Sequence, residues 1–293
     1  MQAEPSPLAR FVADAWARHG TEAQSLVDGL RERAATLPAD ADGVAALVLA
    51  EHLWLAHLHH APGLRAFVAA LPASLAATAP TDAALQRTQW VLAAADGGAP
   101  GPLPDAPRWR ALQNLWSLWC AQGRVAEARA MLEVELPAAL THADPVARKA
   151  LAATGWTLAQ DLREAPRGDG PRDALMIELA LASRALWATA GTWVNVERGD
   201  WLLARCHAVL GQGGPALAHA RACLSLVQQH VGEPGADDFE FFFAHEALAW
   251  AQRAAGDASG EAAEVAQMQA RLAAITDDGL RPMCADALAA LRK

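Results

Sequence analysis

Glu246 is preceded by Phe239, Phe242 and Phe243 and followed by Trp250, at offsets of −7, −4, −3 and +4, so on a helix its carboxylate shares a stripe with four aromatic rings. A carboxylate in that setting requires a cation. Arg205 has Trp201 and Leu202 one turn before it and Val209 one turn after, while Arg198 stands one turn ahead of Trp201 and Leu202, so either guanidinium is a candidate partner. Two readings follow. In the structural one, which we favour, the pair is buried and fixes helix register, because an isolated buried charge is costly and pairing relieves it. In the functional one, Arg198 and Arg205 face a groove and take a carboxylate, from a peptide terminus or a small acid, through a planar two-donor fork. Asn195, one turn before Arg198, would then contact peptide backbone and His245 would line the same groove. Asn195, Arg198, Arg205, His245 and Glu246 are therefore the candidate ligand-binding residues.

The segment E-H-L-W-L-A-H-L-H-H, residues 51–60, holds the one local concentration of histidine. His57 and His60 are three apart and His52 and His59 seven apart, but the four-residue spacing of the H-E-x-x-H zinc helix is missing. His245-Glu246 likewise has Ala249 where a second histidine would stand. No metal and no cofactor are expected. The four cysteines, Cys120, Cys206, Cys223 and Cys284, are scattered among apolar neighbours and read as small buried hydrophobes. There is no G-x-S-x-G elbow, no phosphate-cradling G-x-x-x-x-G-K-[ST] and no dinucleotide fingerprint. Eleven tryptophans stand out in a chain that has no tyrosine. Trp116 and Trp119, and Trp193 and Trp201, share helix faces by spacing; core packing is the preferred account, an aromatic-lined groove the alternative.

These residues must be positioned by helices. Hydrophobic residues make up 53% of 293, much of it alanine, the strongest helix former, while β-branched residues are sparse and only six phenylalanines occur. The expectation is an all-α chain. The best-marked helices fall at about 108–122, 124–140, 145–165, 171–190, 193–212, 214–231, 237–255, 257–275 and 278–291, with starts signalled by Asp144-Pro145, Pro171 and Pro215. Turns at Gly123, Gly168, Gly213 and Gly256 recur at intervals of 45, 45 and 43 residues, the period of a helical solenoid. Earlier helices, at about 7–19, 22–37, 43–60, 63–71 and 82–95, are less regularly spaced. The expected organisation is a degenerate N-terminal region, 1–95, a Gly/Pro-rich loop, 96–107, and a repeat region, 108–293, or else one continuous superhelix.

The stretch G-Q-G-G-P-A-L-A-H-A-R-A-C-L-S-L, residues 211–226, and Gly123 with Ala128 in Q-G-R-V-A-E-A-R-A-M-L resemble the middle of a tetratricopeptide unit. W-V-N-V-E-R-G-D-W at 193–201 and F-A-H-E-A-L-A-W-A-Q-R-A-A-G-D at 243–257 resemble a group of uncharacterised bacterial tetratricopeptide-like proteins, a likeness that covers about 173–293. The resemblance implies a right-handed α-solenoid of stacked hairpins and brings no activity with it.

A formal charge of −9 opposes general binding to a phosphate backbone, so nucleic acid is not an expected partner. No uncharged apolar run approaches membrane-spanning length and the first residues lack a secretion signal, so a cytoplasmic chain without a membrane partner is expected. The reading is a protein- or peptide-binding scaffold. A sensor for a small molecule or peptide, acting through a partner protein, is the alternative, and a hydrolase using Glu246 with His245 ranks third.

Overall fold

The structure, a computed structural model, describes residues 4–292. It contains thirteen α-helices and no strand among the described residues. No helix there is long and apolar enough to cross a membrane. The chain divides into two compact units, up to Ala128 and from Arg129 onward.

The first unit holds α1 (Pro7–Arg33), α2 (Ala41–His52), α3 (Ala61–Ala69), α4 (Ala79–Ala95) and α5 (Asp105–Ala121), with α6 (Val125–Thr141) beginning at its end. Ser6 caps α1 by accepting the Ala9 N–H at 2.9 Å, with Pro7 at the first helical position. The sequence predicts two helices at 7–19 and 22–37; α1 spans both and is broken by a kink at Glu22, whose dihedrals are non-helical, and its last turn tightens at Ala34–Thr36. Asp40 caps α2. That helix does not run regularly to residue 60: it widens into a π turn, Leu53–His57, and ends where His59 takes a left-handed φ of 50°. The Gly/Pro-rich stretch lies within this unit and joins α4 to α5, which pack on each other. Trp54, Trp109 and Trp116 are fully buried in this core.

The second unit continues with α7 (Pro145–Glu164), α8 (Gly170–Ala190), α9 (Trp193–Val209), α10 (Gly213–Gln229), α11 (Asp238–Ala255), α12 (Ala258–Ala274) and α13 (Arg281–Ala290). From α7 to α13 each helix packs on the next in the chain, and α7 also meets α9, α9 meets α11, and α11 meets α13. Asp144, Asp169, Asp237 and Asp257 each accept backbone N–H groups at a helix start, so short polar residues specify where α7, α8, α11 and α12 begin. Pro215 behaves differently from Pro145: it is the third residue of α10, whose start has no side-chain cap. The turn before α10 is accordingly at Gly211, not Gly213. Gly123, Gly168, Gly211 and Gly256 all have positive φ, at intervals of 45, 43 and 45 residues by subtraction. At Gly123, Gly211 and Gly256 the same pair of backbone bonds closes the preceding helix, so the repeated glycines are left-handed helix stops. Gly213 serves packing: a Cβ there would lie 2.6 Å from Ala255 Cα, so glycine lets α10 approach the end of α11.

Candidate functional site

The candidate residues of the second unit sit where α7, α8, α9 and α11 converge. Close approach there depends on small residues, since a Cβ on Gly199 would lie 2.8 Å from Arg184 Cγ and one on Gly155 3.0 Å from the Leu179 carbonyl oxygen. Glu246 faces Arg205. One carboxylate oxygen meets the Arg205 Nη1 and, at 3.3 Å, the indole N–H of Trp250; the other accepts from the Trp201 indole N–H at 2.7 Å. The Arg205 guanidinium lies over both rings, 4.7 Å from the centroid of Trp250 and 5.6 Å from that of Trp201. Burial lowers the Arg205 pKa, against the opposing pull of Glu246. Glu246 thus accepts three donors, and Arg205, the charge expected to read a ligand, is enclosed with it.

Arg198 does not join that pair. Its Nε and Nη2 hold the Glu240 carboxylate, which is buried, while the Arg198 side chain remains 47% exposed. With Ala153, Trp156 and Thr157 of α7, Trp187 of α8 and Asn195 of α9, it lines a cleft of about 230 Å³. Asn195 has a structural duty as well: its Oδ1 accepts the Thr192 N–H at 2.9 Å in a capping box that starts α9. Trp156 stacks on Trp201 at 5.9 Å, which links the cleft to the Glu246 cluster. His245 points elsewhere, its Nδ1 2.7 Å from Glu264 of α12. Neighbours in sequence, His245 and Glu246 are not brought together into an acid–base pair.

Three acids of α9 and α11 escaped sequence reading. Glu197, Asp200 and Glu240 are all buried. Asp200 is held by Arg184 at 2.7 Å and His219 at 2.8 Å, and Glu197 accepts the Cys223 thiol at 2.7 Å. Burial, with the charge of Glu240 beside it, pushes the Glu197 carboxyl up to about 8, against the Cys223 hydrogen bond and the Arg198 charge. At neutral pH it is mostly a protonated acid. The available signal was Trp193 and Trp201, one turn to either side of Glu197, which place it on an aromatic face. Burial likewise pushes the Cys206 thiol up to about 12, so it behaves as an inert core residue.

In the first unit, the histidines of 51–60 pair as the sequence reading did not expect. His52 and His57, five apart, face each other with Nε2 atoms 3.0 Å apart, whereas His59 and His60 are exposed. Asn114 of α5 and His19 of α1 complete that cluster.

Comparison of the chain with protein families, with curated proteins and with solved structures finds no match.

Proposed function

We propose that the second unit is a right-handed, tetratricopeptide-like α-solenoid that binds a protein or peptide segment in a cytoplasmic setting, and that Arg198 reads a carboxylate of that segment. The observation that carries this reading is the presentation of Arg198 at the cleft. Glu240 engages Nε and Nη2 from below, which leaves Nη1 for a ligand oxygen and holds the long side chain in place beforehand. Trp156 and Trp187 supply flat apolar walls, and the Asn195 amide NH2, not used by the cap, supplies a donor for a peptide carbonyl. Alternate-helix contacts from α7 through α13 support the stacked-hairpin architecture, and the four buried free thiols suit a reducing compartment.

The test is isothermal titration of the full chain with random-sequence peptide pools that differ only in having a free or an amidated C-terminal carboxylate. A charge-assisted hydrogen bond contributes about 1.5–3 kcal/mol, so amidation should weaken binding by roughly 10- to 150-fold, and Arg198→Met should erase the difference between pools. Equal binding of both pools, or none of either, would sink the reading. Saturable binding of small dicarboxylates in place of peptides would favour a sensor.

A further inference from the structure

We propose that His19, His52 and His57 form a three-imidazole site for a divalent transition-metal ion, with zinc the best fit. One candidate ligand atom from each lies within 4.8 Å of the others, and the ring centroids are 4.7–5.2 Å apart. Two nitrogens on a tetrahedral zinc at about 2.05 Å are roughly 3.4 Å apart, so a modest rotation of the side chains closes the set. Imidazole is a preferred ligand for zinc and its neighbours, and three protein ligands leave a fourth position for water or a substrate group.

Hydrogen bonds behind the rings select the ligating nitrogens. His19 Nδ1 lies 2.7 Å from the Trp16 carbonyl oxygen, an acceptor only, so Nδ1 carries the proton and Nε2 the lone pair. His52 Nδ1 lies 3.0 Å from Asn114 Oδ1. The Asn114 amide cannot be reversed without loss, because its Nδ2 donates to Glu51 Oε1 at 2.9 Å. His52 therefore also holds its proton on Nδ1 and offers Nε2. Glu51 is 1% exposed and is itself fixed by Arg87 at 2.7 Å and Thr88 at 3.3 Å. A buried carboxylate that orients an amide, which orients an imidazole, is the support that metal-bound histidines use. The close pair of Nε2 atoms on His52 and His57 is bridged, in the metal-free protein, by the His57 proton. Metal binding moves that proton to His57 Nδ1, and the neutral ring changes tautomer with no proton released.

The backbone is built for this meeting. Residues five apart on an α-helix are about 140° apart around the axis, and the π turn at Leu53–His57 rotates His57 back toward His52. Such turns concentrate at functional sites, as do non-glycine residues with positive φ such as His59, which closes this one.

The test uses the full chain after chelator treatment, titrated with zinc and, separately, cobalt(II). Calorimetry should give one ion per chain, and cobalt should develop the visible absorption of a tetrahedral site. His57→Gln and His19→Ala should each weaken binding at least hundredfold, and Asn114→Ala 10- to 100-fold through loss of orientation. His60→Ala and His207→Ala should leave it unchanged. Circular dichroism of the metal-free variants checks that each is folded, and His19→Ala, on a partly exposed helix face, keeps the test open if His57→Gln is not. The proposal is overturned if the folded wild-type chain binds no stoichiometric ion, or if binding survives in folded His19→Ala with unchanged affinity, or if His207→Ala abolishes it.

Discussion

Glu246 accepts from Arg205, Trp201 and Trp250 at once, so its two oxygens are nearly saturated before any ligand arrives. That favours the structural duty over the ligand-reading one. Removing one member of a buried ion pair leaves the other uncompensated, at a cost of about 3–5 kcal/mol, whereas replacing both by apolar groups of similar volume is often close to neutral. Arg205→Leu should therefore lower the urea midpoint sharply, and Arg205→Leu with Glu246→Leu should recover most of the loss. If both single variants changed ligand affinity while stability held, the pair would be a binding element instead. The aromatic stripe around Glu246 was readable from spacing, as was the apolar flank of Arg205, because each follows from helical periodicity within its own element. Pairing of Arg198 with Glu240 in place of Glu246 was not. It depends on the relative translation of α9 and α11, which periodicity leaves open. His19 and Asn114 were hidden for the same reason, and the His52–His57 approach was hidden because a π turn breaks the 3.6-residue period on which face assignments rest.

At the scale of elements, helix starts and stops were the most legible feature, because aspartate caps and glycine stops act within a few residues of chain. The turn expected at Gly213 lies at Gly211. In G-Q-G-G-P three glycines compete for one left-handed position, and only packing separates them: Gly211 closes α9, Gly213 lies against Ala255, and a Cβ on Gly214 would meet nothing within 4 Å. Adjacent glycines should then respond to alanine with opposite sign. Gly214→Ala gains about 0.5–1 kcal/mol by restricting the unfolded chain and improving helix propensity. Gly213→Ala must push α10 away from the α11 backbone and should lose about 1–3 kcal/mol. Thermal melts of the two variants check this, and equal shifts would mean that α10 and α11 are not in the close contact described. The division between units was less legible than any helix, because the Gly/Pro-rich stretch that suggested it is a loop between packed partners, α4 and α5.

For the molecule as a whole, the distinctive electrostatic feature is a carboxyl kept protonated at neutral pH in a chain that already carries a formal charge of −9. Burial pushes the Glu197 carboxyl from its ordinary value of 4.5 up to about 8 in the folded chain. Between those values the native state holds a proton that the unfolded chain has released, so stability falls as pH rises, and the contribution present below pH 4.5 is gone once pH passes 8. Other groups titrate in the same range, and the difference between the wild-type protein and Glu197→Gln removes them. Glutamine keeps the neutral side chain, with an oxygen for the Cys223 thiol and an NH2 that can donate toward Glu240. The variant should thus match the wild-type melting temperature near pH 5 and exceed it progressively from pH 6 to 8. A difference that stayed constant across that range would mean that Glu197 is ionised in the folded protein and that Arg198, already engaged with Glu240, neutralises both acids.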